Sequence, residues 1–141
     1  MIEELTKQLK RDEGVRPWAY SDHLGYLTIG VGRLIDPRKN GRLRDSEIDL
    51  LLSNDILDRI AAVRSALPWF DGLDEPRKGV LLNMAFQMGT EGMLAFTTTL
   101  AHVRAGRYAD ASKAMLKSKW ATQTPARAQR LAKQMEDGTW Q

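Results

Sequence analysis

Cysteine is absent from the 141-residue chain, which has only two histidines, His23 and His102. The lack of thiols excludes a disulfide framework and a thiolate zinc site, and it leaves the redox compartment open. The two histidines lie far apart in sequence, and no recognisable spacing of carboxylates joins them into a set of metal ligands. We therefore expect neither a metal ion nor another cofactor.

The sequence also lacks a long apolar run. Its first residues, "MIEELTKQLKRDEG", alternate charged and apolar side chains. They do not have the basic start and apolar core of a signal peptide, and no run reaches the roughly twenty residues that span a bilayer. We expect a soluble protein without its own export signal and without stable membrane insertion. No repeat, low-complexity segment or flexible linker is present, so residues 1–141 are predicted to form a single domain.

Positively charged residues are only slightly in excess of negatively charged ones. Lys and Arg number 21 and Asp and Glu 18, which gives a net charge of +3, and the pI is near 9.3. This excess favours a polyanionic partner such as nucleic acid, an anionic membrane surface or a bacterial envelope, but ordinary solubility charge explains it equally well. The basic residues are dispersed with acids among them, whereas a nucleic-acid binder needs clustered Lys and Arg with interleaved aromatics. We therefore do not expect a nucleic-acid partner.

The apolar spacing predicts a mainly helical α+β chain. A short helix over 2–12 precedes a hairpin formed by the β-prone runs "WAY" and "YLTIGVG". A polar loop, "DPRKNGR", leads to a long helix that Asp45 caps and Pro68 ends. Asp74 starts the next helix, Gly89 and Gly92 punctuate it, and a polar connector, "KWATQTP", precedes the last helix. The predicted later helices are 97–105, 107–117 and 125–136, and the predicted buried stripe of the long helix is Ile48, Leu51, Leu52, Ile56, Ile60, Val63 and Leu67.

Two carboxylates and a hydroxyl surround the hairpin. Glu13 lies at the predicted helix end, where the dipole disfavours a negative charge, Asp22 lies in the turn, and Thr28 lies in the second β-prone run. Glycosidic hydrolysis needs one carboxylic acid shielded enough to stay protonated and a second carboxylate solvated enough to stay charged. By spacing alone this interpretation is weak, because most acids belong to solvated faces and threonine suits any strand. Gly30 and Gly32 are, by default, bulge or turn residues.

Longer stretches of the sequence are more specific. "EG" followed by a tyrosine, an aspartate and "GYLTIGVG" closely resembles the opening of the phage-type lysozymes, glycoside hydrolase family 24. "LLNMAFQMG" at 81–89, "GMLAFTTTL" at 92–100 and "KSKWATQTPARAQR" followed by "GTW" resemble the later part of that family, in the same order. The resemblance covers nearly the whole chain. It implies a lysozyme-like fold with a β-hairpin lobe over about 13–45, a connecting helix over about 46–66, a helical lobe over about 67–141 plus 1–12, and a cleft between the lobes.

The resemblance also implies roles for individual residues. Glu13 matches the family's general acid, Asp22 its second carboxylate, and Thr28 the hydroxyl that positions the attacking water. Gly30 matches the strand that borders the saccharide. Phe86, Gln87 and Thr99 match residues that line the opposite wall of the cleft. Arg127 matches a basic residue that approaches the catalytic glutamate.

Two features depart from the family pattern. Arg33 stands where a family enzyme has a histidine, while the aspartate that pairs with that histidine is retained as Asp55. We predict an Arg33–Asp55 ion pair between the hairpin's exit and the long helix. The segment 35–44 is also shorter than in that enzyme, which affects the predicted shape of the upper cleft.

The implied activity is hydrolysis of the β-1,4 bond between N-acetylmuramic acid and N-acetylglucosamine in peptidoglycan, with inversion, for bacterial host lysis. The family further implies a monomer that accumulates in the host cytoplasm and reaches the wall when a separate holin opens the membrane. Two alternatives remain open at this point: a lytic transglycosylase, which forms an anhydro product, and an inactive module that binds the wall or belongs to a baseplate.

Overall fold

The computed structural model describes residues 2–35 and 42–141. The chain divides into two compact units, Met1–Leu51 and Leu52–Gln141, which are described separately below. Most of the predicted polar loop between the hairpin and the long helix lies outside the described residues. The assignment of residues 1–12 to a helical lobe therefore stays a prediction, as does the cleft.

The first unit contains helix α1 and a small antiparallel sheet. Helix α1 (Ile2–Glu13) ends before Gly14, whose φ of +76° is the left-handed conformation that glycine supplies at helix ends. The strands β1 (Arg16–Ser21), β2 (Leu27–Gly30) and β3 (Arg33–Leu34) lie in sheet order β1-β2-β3. The hairpin prediction is confirmed, whereas the two-residue strand β3 was not predicted.

The register of this sheet places Thr28 at its centre. Thr28 lies opposite Tyr20 on β1 and opposite Leu34 on β3. Because a strand flanks Thr28 on each side, its side chain is enclosed. Thr28 is 2% exposed and is the one buried residue in the described part of this unit. The sheet thus holds a hydroxyl, rather than an apolar side chain, at its most enclosed position.

The long helix α2 (Asp45–Ala66) begins in the first unit and continues into the second. Asp45 was predicted to cap α2, but it is already the first residue of the helix. The Glu47 carboxylate accepts a hydrogen bond of 2.7 Å from the Arg44 backbone N–H, as the third helical residue of a capping box does. The predicted buried stripe is largely wrong. Val63 and Leu67 are buried, Ile60 is half-buried, and the four earlier stripe residues are exposed, because only the end of α2 contributes to the apolar core.

The second unit is helical. Its helices are α3 (Glu75–Leu94), α4 (Thr97–Arg104), α5 (Tyr108–Leu116), α6 (Lys119–Gln123) and α7 (Pro125–Asp137). Asp74 caps α3 as predicted by accepting from the Arg77 backbone N–H, and α3 is kinked at Gly89, where φ is +80°. The prediction of a polar connector was wrong, since Ser118 accepts from the Ala121 backbone N–H and starts α6.

The core of this unit lies between the helices. Helix α7 packs against α3, α5 and α6, and α4 packs against α5. The most enclosed large side chains are Phe70, Leu81, Met84, Met93, Met115 and Met135. No helix among the described residues is long and apolar enough to cross a membrane. The architecture is α+β and predominantly helical, as predicted.

Candidate active site

The turn between β1 and β2 fixes the carboxylate of Asp22. Its Oδ1 accepts hydrogen bonds from the backbone N–H groups of Leu24 (2.9 Å) and Tyr26 (2.8 Å). Gly25, with φ of +82°, donates its N–H to the Asp22 carbonyl at 3.0 Å and closes the turn. Such side chain to backbone bonds are what aspartate supplies in turns. They engage one carboxylate oxygen, and no hydrogen bond to Oδ2 occurs within 2–35 and 42–141.

The peptide group of Tyr26 links Asp22 to Thr28. The Tyr26 carbonyl accepts from the Asp22 backbone N–H at 2.8 Å and from Thr28 Oγ1 at 3.0 Å, while the Tyr26 N–H donates to Asp22. Because a carbonyl can only accept, the Thr28 hydroxyl hydrogen is committed to Tyr26. The Thr28 oxygen therefore keeps lone pairs that can accept a further hydrogen bond, and so does Oδ2 of Asp22.

Glu13 is the last residue of α1, as expected, but its surroundings differ from the prediction. The side chain is exposed, whereas Asp22 is half-buried, so the expected contrast of a shielded Glu13 and a solvated Asp22 is reversed. The reason is that α1 buries none of its residues, whereas the turn encloses Asp22. Within the described part of the first unit, the Glu13 carboxylate has no hydrogen bond or ion pair. It rests against Gly32, and a Cβ placed on Gly32 would lie 2.9 Å from Glu13 Oε2.

Arg33 has an ion-pair partner that was not predicted. Its guanidinium pairs with Glu47 at the start of α2, with an Nη2–Oε2 distance of 2.7 Å, and also donates to the Arg42 carbonyl. Glu47 accepts hydrogen bonds from both terminal nitrogens of Arg33. An Arg33–Asp55 pair would join the two units, so that pair stays a prediction. Hydrogen bonds from the Arg44 N–H and from Arg33 hold the pKa of Glu47 below its usual value.

Gly30 ends β2 with φ of +69° and is half-buried. A Cβ at this position would meet nothing within 4 Å. Its backbone conformation, rather than crowding, therefore explains the glycine. A role for Gly30 in saccharide contact stays a prediction.

In the second unit, two of the predicted residues line one cavity. Phe86 and Arg127 face a space of about 320 Å³ together with Asn83. Phe86 is 44% exposed, so it is not a core aromatic. Arg127 donates to the Asn83 side chain from Nε at 2.8 Å and to the Asn83 carbonyl from Nη2 at 3.2 Å. The predicted approach of Arg127 to the catalytic glutamate stays a prediction.

Gln87 and Thr99 belong to a different part of this unit. Gln87 accepts a hydrogen bond of 2.9 Å from Trp120 Nε1. Thr99 is buried near the start of α4 and lines a cavity of about 470 Å³ with Phe96 and Trp120, whose rings meet edge to face. Gln87 and Thr99 thus share Trp120 as a neighbour. Contact of either residue with substrate stays a prediction.

Several contributing residues were missed from the sequence. Tyr26 acts through its peptide group and Asn83 through its side-chain oxygen and its backbone carbonyl, and neither contribution has a sequence signature. Glu47 was also missed, because Arg44 is not one of the residues that begin a recognisable capping-box sequence. Trp120 lies in the stretch "KSKWATQTPARAQR", which was quoted above for its resemblance to the family. Within the described ranges, no group of three or more His, Cys, Asp or Glu residues is placed to hold a metal ion.

Two carboxylates and a hydroxyl on a helix end and a hairpin are the groups that a glycoside hydrolase uses. The comparison with known families agrees with that class. The family model for phage lysozyme matches residues 10–136, and the chain belongs to the phage lysozyme family. It is a lysozyme, a glycoside hydrolase of peptidoglycan.

Three relatives illustrate this membership. The chain is 30% identical to "Probable T4-type lysozyme 1" and 29% identical to "Probable T4-type lysozyme 2", both of Dictyostelium discoideum, over 99% of this chain and 97% of each relative. It is also 32% identical to the "Pre-baseplate central spike protein Gp5" of Enterobacteria phage T4. That alignment covers 90% of this chain but only 26% of the spike protein.

Proposed function

We propose that the protein hydrolyses the β-1,4 bond between N-acetylmuramic acid and N-acetylglucosamine with inversion at the anomeric carbon. Glu13 acts as the general acid, Asp22 as the general base, and Thr28 orients the attacking water. The observation that carries this assignment is the Tyr26 peptide, which joins Asp22 and Thr28 in one hydrogen-bonded unit.

The lone pairs left on the hairpin define the orientation of the water. The Thr28 oxygen has given its own hydrogen to Tyr26, and Asp22 Oδ2 is unbonded within the described residues, so each can only accept from a water placed between them. A water that donates both hydrogens presents its lone pair to the anomeric carbon. As the water's oxygen attacks, one of its protons passes to Asp22.

Glu13 serves the opposite end of the bond. It donates its proton to the leaving glycosidic oxygen as the bond breaks, which keeps that oxygen from departing as an alkoxide. The carboxyl group of Glu13 is exposed, so a polymer can reach it. In inverting enzymes the water fits between the base and the sugar, with the two carboxyl groups roughly 6.5–9.5 Å apart.

Digestion of purified peptidoglycan tests the reaction. We expect reducing N-acetylmuramic acid ends whose first-formed anomer is α, detected by mass and by NMR before mutarotation. A first-formed β anomer would mean retention, and a 1,6-anhydro product would mean a transglycosylase. Binding without any new reducing end would identify an inactive wall-binding module.

Glu13→Gln tests the acid. We expect it to lose at least about 10²–10⁴-fold in kcat, because an amide has no proton to give. The fold should be retained, since the Glu13 carboxylate makes no hydrogen bond within the described part of the first unit. The matched control is Asp12→Asn, which neutralises the adjacent carboxylate that pairs with Arg11 on the same exposed helix end, and it should keep its activity. Turnover of Glu13→Gln above a third of the wild-type value would remove Glu13 from the mechanism.

We further propose host lysis as the role of this activity, with the enzyme held in the cytoplasm as a monomer until a separate membrane-opening protein releases it. Membership of the phage lysozyme family supports this proposal. Expression inside a bacterium, with and without an agent that opens the inner membrane, tests it. Lysis without membrane opening would contradict the proposed dependence on a partner.

A further inference from the structure

Gly32 lies in the tight turn between β2 and β3, directly against the proposed acid. It has φ of +68° and is half-buried. A Cβ built on Gly32 would lie 2.9 Å from Oε2, 3.3 Å from Cδ and 3.5 Å from Cγ of Glu13. Three consecutive atoms of the Glu13 side chain therefore run along the face of Gly32 that any other residue would fill.

The other described glycines of the first unit do not have this contact. A Cβ on Gly14, Gly25 or Gly30 would meet nothing within 4 Å, although all three also have positive φ. The backbone conformation alone would explain a glycine at each of those positions. At Gly32 the missing side chain also provides the space in which the Glu13 carboxylate lies.

Within the described part of the first unit, the Glu13 carboxylate has no hydrogen bond or ion pair, and its packing against Gly32 is the contact that limits its position there. We propose that Gly32 is a positioning residue that seats the carboxylate of Glu13 for proton transfer. This inference rests on the proposed role of Glu13 as the general acid. A general acid must lie within about 2.6–3.2 Å of the oxygen that it protonates, and a misplacement of about 1 Å can reduce the rate 10²-fold.

The geometry separates the effect on catalysis from the effect on stability. A methyl group at position 32 meets the far end of a flexible, exposed side chain, which can move away at little cost to the fold. The remaining cost is the strain of a positive φ, which any alanine at such a position has. Gly106, between α4 and α5, supplies the matched control, because its φ is +72° and a Cβ there would meet nothing within 4 Å.

The experiment compares Gly32→Ala with Gly106→Ala. We expect similar decreases in Tm for both variants, a decrease of about 10²-fold in kcat for Gly32→Ala only, and an unchanged KM for both. Gly32→Asn carries the same Cβ with less backbone strain, since asparagine tolerates positive φ, and it should reproduce the loss in kcat if Gly32→Ala does not fold. A normal kcat in a folded position-32 variant, or a higher KM with normal kcat, would overturn the proposal.

Combination with Glu13→Gln shows whether Gly32 acts through the acid. If it does, Gly32→Ala should cause no further loss of activity in the Glu13→Gln background, because the group that it displaces no longer donates a proton. A multiplicative further loss would mean that Gly32 acts by another route. If Glu13→Gln alone stayed active, the proposed function would fail; if Glu13→Gln were inactive and Gly32→Ala fully active, only the positioning role would fail.

Discussion

At the residue scale, Thr28 offers a test of the water-orienting hydroxyl that does not disturb its neighbours. Thr28→Val keeps the shape and the β preference of the side chain but removes the oxygen. The Tyr26 carbonyl still accepts from the Asp22 N–H, so no buried acceptor is left without a donor. We expect kcat to fall about 10²-fold with a small change in Tm, because the water loses one of the two acceptors that orient it.

Two further variants complete this test. Thr28→Ser retains the hydroxyl and should recover most of the activity. Thr6→Val removes a hydroxyl that donates to the Ile2 carbonyl at 2.8 Å on exposed α1, and it should not change kcat. Full activity of Thr28→Val, measured as release of reducing ends from peptidoglycan, would remove the hydroxyl from the mechanism.

The sequence was informative about which residues lie near the hairpin and less so about their surroundings. Glu13 at a helix end and Asp22 in a turn followed from apolar spacing and turn residues, and both positions are observed. The exposure of the two acids was predicted the wrong way round, since the turn that encloses Asp22 depends on backbone donors from Leu24 and Tyr26. Aspartate in a turn is typical of such bonds, but the prediction of a solvated Asp22 did not take them into account.

At the scale of elements, the pair of Arg33 and Glu47 connects β3 to the start of α2. Hydrogen bonds from Arg44 and Arg33 lower the pKa of Glu47 in the folded protein. A carboxyl group with a depressed folded pKa contributes stability that is fully present above its unfolded pKa and is lost as pH falls through the folded value. Acidification should therefore break this pair by protonating Glu47.

Glu47→Gln should therefore lower Tm at neutral pH and have a much smaller effect in acid below the folded pKa, where the wild-type carboxyl is already neutral. The control is Asp49→Asn, two residues along the same helix start, where an exposed carboxylate has no ion pair within the described ranges. Thermal unfolding across an acid-to-neutral pH series measures both variants. A Tm difference for Glu47→Gln that is equal at every pH would contradict the linkage.

Helices of more than two turns and the two hairpin strands were predictable, whereas the shortest helix and the shortest strand were not. The helices α1, α4, α5 and α7 have observed ends within about two residues of their predicted ends, which is the ordinary uncertainty of helix boundaries. Strand β3 has two residues and α6 has five, so neither is long enough for a repeating apolar spacing to be recognised. Too many residues of α2 were predicted to be buried. Apolar periodicity shows which face of the helix is apolar, but it does not show how much of that face packs against other elements.

At the scale of the whole molecule, the apolar core is confined to one unit. Every buried hydrophobic side chain of the described residues lies between Val63 and Met135, in the second unit. The described part of the first unit buries only Thr28 and is held by the hydrogen bonds of its sheet and turn and by the pair of Arg33 and Glu47. Burial of apolar surface contributes most of the stability of a fold, so the two units should differ in resistance to opening.

Native-state hydrogen exchange in rising denaturant measures this difference. Amides of α3 near Met84 and Ala85 should exchange only through global unfolding, whereas amides paired between β1 and β2 should exchange through a smaller opening with a weaker denaturant dependence. Met84→Ala, which truncates a buried side chain, should lower the opening free energy of the core helices by roughly 2–5 kcal/mol. Glu47→Gln should instead reduce protection mainly in the first unit, since its partner Arg33 lies on β3. Equal opening free energies in both units, shifted equally by the two variants, would mean that the chain unfolds as one cooperative body despite its one-sided core.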